Sequence, residues 1–357
     1  MEEDIPSEPP RQYAEVCKTR GPAYSSYESL PLAWGRQEDY EIVRKIGRGK
    51  YSDVFDGFSL LNNRKVTIKI LKPVKKSKIK REIHILRTLS GQRNVTNLID
   101  IVRDSATKTP ALILEHAPNT NFKALFIELE DIDLRFYLYE VLRALDYAHS
   151  MGIMHRDVKP GNVMIDHESR SVRLIDWGLA DFYFPDKEYN LRVATRYYKA
   201  PELLLDYRYY HYSVDMWGFG ALMAGWVFRK EPFFHGNHNL DQLFKIVKTL
   251  GSQDLMEYVE KFALSTAGIE DMLAADFPKR SWDSFITSEN EHYASSEALN
   301  LLEGCLKLDH SQRLLPSEAM AHPYFSPVTQ LLAHPEAAKE GTAAWETLRR
   351  RKQADKH

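Results

Sequence analysis

Polar and apolar positions alternate along residues 40–46 and again, with β-branched and aromatic side chains, along residues 51–58. A glycine turn separates these runs, and Asn62-Asn63 separates the second from a third at residues 65–70. Period-two patterning between turn residues predicts strands. Residues 95–103 and 111–115 predict two more. Residues 78–89 instead place Ile79, Ile83, Ile85 and Leu86 on one side of a helix, so the first third of the chain reads as a small sheet with one helix. Beyond residue 120 the pattern is helical. Residues 134–150 give a strong amphipathic helix, and further helices are expected near 213–228, 240–250, 297–307 and 315–321. The expected fold is therefore α+β and bilobal: a β-rich lobe over 39–115, a linker over 116–120 and an α-rich lobe over 121–325. Ligands commonly bind in the cleft between two such lobes.

The flanks differ from this body. Residues 1–10 are acidic and Pro-rich, whereas residues 11–38 carry Tyr13, Tyr24, Tyr27 and Trp34. That density of aromatics predicts an extended arm, 1–38, packed on the body. Residues 326–357 read as a charged, Ala-rich tail.

Composition changes the picture only by exclusion. Lys plus Arg number 48 against 50 Asp plus Glu, so bulk charge predicts no nucleic-acid partner. The two cysteines, Cys17 and Cys305, show no metal or disulfide spacing. No run approaches the roughly 20 apolar residues of a membrane span, and the acidic start lacks signal-peptide character. A soluble protein of cytoplasm and nucleus, without a membrane partner, is expected.

The candidate chemistry lies in four runs. Gly47-Arg48-Gly49-Lys50-Tyr51-Ser52-Asp53-Val54 joins two strands, where glycines allow close approach to phosphates. Taken alone, the run fits a plain hairpin turn better, since Ser52 stands where a third glycine would, and the strand after it disfavours a dinucleotide-binding fold. Lys69 on the third strand is either solvated or a phosphate ligand, and Glu82 on the next helix is the carboxylate that would hold it. Residues 155–162, HRDVKPGN, are the most specific signal. Asp157 suits the attacking hydroxyl, Lys159 a moving phosphoryl group, and Asn162 a metal. His155 and Arg156 read as scaffold. Asp176, in Asp176-Trp177-Gly178, would bind Mg²⁺. Glu202, Asp215 and Arg313 read as structural, holding the α-rich lobe through buried ion pairs.

In order, spacing and context these runs resemble the protein-kinase family over roughly 39–325. Residues 47–52, 69–76, 79–83, 150–160, 174–180 and 228–236 resemble in more detail the catalytic subunits of casein kinase II. The resemblance implies a Ser/Thr kinase in which Lys69, Glu82, Asp157 and Lys159 are catalytic and Asn162 and Asp176 hold Mg²⁺, with Mn²⁺ as an alternative. It implies that ATP or GTP lies against Gly47, Arg48, Gly49, Lys50, Tyr51, Ser52 and Val54. Lys69, Leu114, Glu115, Ala117, Met164 and Ile175 complete that nucleotide site. Three positions depart from the family: Leu114 replaces a bulkier Phe, Gly161 a His and Thr67 a Val. None removes a catalytic group.

Two basic clusters suit acidic targets: Lys72, Lys75, Lys76, Lys78, Lys80 and Arg81, and then Arg192, Arg196 and Lys199. A solvated helix face or a nuclear-import signal would also explain the first. The resemblance implies a Ser/Thr-x-x-Asp/Glu preference, and the clusters predict inhibition by heparin-like polyanions. It further implies a regulatory β-subunit dimer on the outer face of the small lobe, with Ile42, Phe55 and Ile68 as either docking or core residues. Thr195 is the only Ser or Thr between Asp176 and Glu202, and Tyr183 and Tyr189 are alternative phosphosites without motif support, so constitutive activity is expected, with the arm bracing this segment. Two rival readings are a catalytically dead scaffold and a nucleic-acid binder. The first conflicts with the intact Lys69, Glu82, Asp157, Asn162 and Asp176, and the second with the lack of any stacking platform.

Overall fold

Strands β1 (Tyr40–Arg48), β2 (Ser52–Ser59), β3 (Arg64–Leu71), β4 (Leu98–Arg103) and β5 (Pro110–Glu115) form one sheet in the order β1-β2-β3-β5-β4. Its neighbouring strands pair antiparallel throughout. The computed structural model describes residues 7–120, 125, 129–334, 346 and 350. Register sets Lys69 opposite Val54 on one side and Leu112 on the other. Side chains of a strand alternate between faces. Val66 and Ile68 accordingly bury in a small cluster with Val102, Ala111 and Ile113, while Lys69 lies on the opposite face. Ile68, 4% exposed, is core; Phe55 is partly buried against the same cluster, and Ile42 is 48% exposed. The expected strand at 95–103 begins only at Leu98, because Val95 is drawn into an isolated bridge with Leu174 of the other lobe.

Helix α1 (Lys76–Thr88) packs against this sheet with Ile83, Ile85 and Leu86 buried. The large lobe is built on α2 (Asp131–Ser150), which buries thirteen of its residues, and on α3 (Ser213–Val227), which is buried along its whole length. A helix with no polar face has to lie inside the protein. Helices α4 (Asn239–Leu250), α5 (Ser252–Lys261) and α6 (Ser296–Cys305) extend the lobe, with short helices at Pro201–Leu204, Glu270–Ala274 and Pro316–Met320, the last within the helix expected over 315–321. Helix α5 was not expected. It follows α4 after Gly251, whose φ of 99° turns the chain between them. Helix α7 (Ser326–Ala333) buries Val328 and Leu331, so the packed body extends past the expected boundary at 325. Most of the expected tail (335–345, 347–349 and 351–357) and the acidic start, 1–6, lie outside the described residues.

Residues 7–38 pack on both lobes and include two helical turns, Val16–Thr19 and Pro22–Ser25, where a wholly extended arm was expected. Cys17 is buried against Gly152, and the Tyr24 hydroxyl donates to the Met151 carbonyl at 2.7 Å. The Tyr24 carbonyl lies 2.6 Å from His84 Nε2 on α1, and the Glu28 carbonyl accepts from Lys80 Nζ at 2.8 Å. The Tyr24 ring meets Phe182 edge to face. The arm thus ties the base of the large lobe to α1.

One buried ion pair holds the lower part of the large lobe. Arg313 donates to both carboxylate oxygens of Glu202, at 2.6 and 2.7 Å, and both side chains are wholly buried. It also donates to three carbonyls, those of Lys307, Leu308 and Ser213. Removing one member of such a pair leaves an uncompensated buried charge. Glu202→Ala should destabilise the fold by about 3–5 kcal/mol. Urea unfolding of both proteins checks this, and a shift under about 1 kcal/mol would show that water or rearrangement replaces the carboxylate.

Candidate active site

The site is assembled from both lobes. Lys69 Nζ on β3 lies 2.7 Å from Glu82 Oε1 on α1 and 2.7 Å from Asp176 Oδ1. Lys69 and Glu82 are buried, and the Asp176 side chain is half exposed. Burial opposes the Lys69 charge, but the two carboxylates outweigh it and raise its pKa. The same ammonium is the chief cause of a lowered Asp176 pKa. Asp176 sits at φ 61°, ψ 68°, a left-handed conformation that is uncommon outside glycine. Such backbone geometry clusters at functional sites.

Between β6 (Ile153–Met154) and β7 (Val163–Asp166) runs a loop fixed from below by Asp215. Asp215, at the start of α3, accepts from the backbone N–H of His155 at 2.8 Å and of Arg156 at 2.7 Å, and from His149 Nε2 at 2.9 Å. Burial opposes its charge, but the His149 hydrogen bond and nearby His155 hold its pKa low. The expected ion-pair role of Asp215 is thus chiefly a backbone clamp. At Gly218, one turn along α3, a Cβ would lie 2.9 Å from the Val158 carbonyl oxygen, so only glycine permits this approach. Above the clamp, Asp157 accepts from Asn162 Nδ2 at 3.0 Å, Lys159 Nζ at 2.7 Å and the Thr195 N–H at 2.8 Å. The Thr195 hydroxyl also donates to Asp157 at 3.0 Å, and Lys159 Nζ donates to that hydroxyl at 2.7 Å. His155 stacks edge-on against Trp177, whose indole N–H donates to the Leu174 carbonyl. The tryptophan is therefore core.

A cavity of about 340 Å³ joins these groups. Its walls include Gly49, Lys50, Tyr51 and Ser52 of the glycine turn, then Lys69, Glu82, Asp157, Lys159 and Asp176. Gly47, Arg48, Val54, Leu114, Glu115, Ala117, Met164 and Ile175 do not line it. They belong to the strands and linker beside it: Val54 pairs with both Gly47 and Lys69, Leu114 with Thr67, and Met164 lies on β7. Glu115 accepts from Asn97 at 2.9 Å and Arg173 at 3.2 Å, which clamps the end of β5 to β8 (Ser171–Leu174).

Among the described residues no group of three His, Cys, Asp or Glu side chains could hold a metal. Asn162 and Asp176 supply two hard oxygen donors, held near each other because the Ile175 N–H donates to the Asn162 carbonyl at 2.9 Å. Two protein donors suit Mg²⁺, which takes one or two carboxylates and completes its shell with phosphate oxygens and water.

The basic clusters divide. Lys78 and Arg192 are exposed and line the cavity. Lys75, Lys76 and Arg196 are exposed but do not line it. Three cations expected at the substrate are committed elsewhere. Lys80 donates to the arm carbonyl of Glu28, and Lys199 Nζ donates to the carbonyls of Leu191 and Val193, with burial lowering its pKa. Arg81 is paired at 2.9 Å with Asp181, a residue the sequence reading did not single out. Arg156 donates to the same Asp181 oxygen at 3.0 Å, to the Leu179 carbonyl and to the Tyr210 hydroxyl. Asp181 thus joins α1, the loop before Asp157 and the segment after Asp176. No local signal marks it, since its role depends on two arginines distant in the chain.

A family model described as protein kinase domain matches residues 40–325.

Lys69→Met should raise the Asp176 pKa, because the ammonium that chiefly lowers it is removed. Carboxyl carbon NMR titration of both proteins checks this. Because the folded pKa is depressed, the stabilising contribution of Asp176 is fully present above its unfolded value of 3.8 and is lost as pH falls through the folded value.

Proposed function

The chain belongs to the protein kinase family, and from that membership we propose a constitutively active Ser/Thr kinase of the casein kinase II catalytic type. It transfers the γ-phosphoryl group of ATP, and also of GTP, to Ser or Thr followed by acidic residues. The substrate hydroxyl oxygen forms a bond to the γ-phosphorus while the bond to the β-bridging oxygen breaks. The hydroxyl proton passes to Asp157, and the nucleoside diphosphate leaves. Lys69, held by Glu82, positions the phosphates, and Lys159 offsets charge on the moving group. Mg²⁺, or Mn²⁺, held by Asn162 and Asp176 would neutralise phosphate charge. Adenine or guanine would lie toward Val54, Leu114, Ala117 and Met164.

The single observation that supports constitutive activity is the Asp181 bridge. Kinases commonly order this segment by phosphorylation, which gives the catalytic-loop arginine an anionic partner. Here a carboxylate of the chain is already paired with both Arg156 and Arg81. The Lys69–Glu82 pair is also closed, and Tyr189 is buried and donates to the Phe182 carbonyl at 3.0 Å. The arm braces the same region through Tyr24 and Phe182.

Acidic targets are favoured by Lys78 and Arg192 at the cavity and by exposed Arg196. The same cations, with Lys75 and Lys76, would bind heparin-like polyanions. Exposed Ile42, Val43, Leu60 and Leu61 on the small lobe support docking of a regulatory β-subunit dimer there. Cytoplasm and nucleus are the proposed compartments.

Bacterially expressed, unphosphorylated protein should transfer labelled phosphate from ATP to a peptide bearing Ser followed by acidic residues. Excess GTP should suppress transfer, and Asp157→Asn should abolish it. Wild-type protein that is folded and supplied with Mg²⁺ but transfers nothing would refute constitutive activity on this substrate class.

Asp181→Asn should lower kcat about 10- to 100-fold, because a hydrogen bond to a charged group contributes about 1.5–3 kcal/mol. Steady-state kinetics with circular dichroism as a folding control checks this. An unchanged kcat would remove the Asp181 bridge as the basis for activity without phosphorylation.

A further inference from the structure

A second cavity, of about 630 Å³, lies behind the catalytic cleft, between the arm, α1 and the turn joining β4 to β5. Leu71, Val74 and Ile79 form a wall common to both cavities. The apolar lining is completed by Leu30, Leu32 and Trp34 of the arm. Five cations surround it, Lys72, Lys76, Lys80, Arg103 and Lys108, and among the described residues no carboxylate lines it. For a chain whose charges nearly cancel, that is a strong local asymmetry.

The cations are not consumed by neighbours of opposite charge. Of these five, only Lys72 forms an ion pair among the described residues, with Asp53 at 3.6 Å. Lys80 and Lys108 donate to backbone carbonyls, and Arg103 stacks on Trp34, 5.2 Å from its ring. The nearby Asp104 carboxylate accepts from Ala106 and Thr107 within its own turn.

We propose that this groove docks an acidic peptide segment of a partner protein, with apolar side chains between its carboxylates. The apolar floor requires buried side chains, which a sulfated polysaccharide or a nucleic-acid backbone lacks. The cationic rim requires carboxylates around them and attracts such a segment from a distance. The volume falls within the usual range of ligand pockets. The groove is separate from the place where the target hydroxyl reacts, and the proposal stands apart from the acidic-target reading of that site.

The test is fluorescence anisotropy of the full chain with a labelled peptide free of hydroxyl side chains, DEFLDEFLDE. The peptide should bind saturably. Lys76→Glu combined with Lys108→Glu should weaken binding about tenfold or more, as expected when rim charges are reversed. Lys78→Glu combined with Arg192→Glu, which alters only the catalytic cleft, should change it less than about twofold. The glycine analogue DEGGDEGGDE should bind about tenfold more weakly, since its apolar contacts are gone. The double variants alter exposed residues, so circular dichroism should be unchanged. Absence of saturable binding, equal binding of the glycine analogue, or equal loss in the cleft variant would each overturn the proposal.

Discussion

Two adjacent residues of α1 carry opposite charges into the interior, and the geometry of the site depends on both being matched there. Glu82 meets Lys69 of the sheet, and Arg81 meets Asp181 of the large lobe. A charge left alone in that setting would cost several kcal/mol, so neither side chain can leave its partner cheaply. The helix is therefore fixed in rotation and in distance from the cleft. Its exposed lysines and its buried apolar face follow from that placement.

The charge pairs connect to a second constraint from below. Asp215 fixes the backbone of His155 and Arg156, and Arg156 then shares Asp181 with Arg81. Hydrogen bonds, joined through the backbone of α1, thus link α3 through the catalytic loop to β3. Asp157 and Asp176 both line the cavity that this frame supports. Both are oriented by cations of the chain itself, Lys159 and Lys69. Positioning of this kind is what phosphoryl transfer chiefly demands of a protein.

The arm adds an interlobe brace that needs no charge. Cys17 fills the space over Gly152, while Tyr24 bonds Met151 on one side and His84 on the other. By lying along α1 the arm also forms one wall of the groove behind the cleft. The segment that steadies the helix is thus a surface that a partner could touch.

The sequence by itself determined the two-lobe α+β plan, because period-two and helical patterning are local properties. It also marked Lys69, Glu82, Asp157, Asn162 and Asp176, because their spacing within short runs is local too. Local patterning likewise separated strand from helix in the small lobe, though it began the fourth strand too early at Val95. Only the tertiary structure decided which cations are free. Arg81, Lys80 and Lys199 look like their neighbours in the sequence, yet each is committed to a group 100, 52 or 6–8 residues away. Asp181 was invisible for the same reason, since its two arginines lie 100 and 25 residues from it. Whether Ile68 is core and Ile42 surface was also left open by a strand pattern that bears apolar residues on both faces. Burial and pairing depend on which distant groups arrive, and that is settled by packing rather than by the local run of residues.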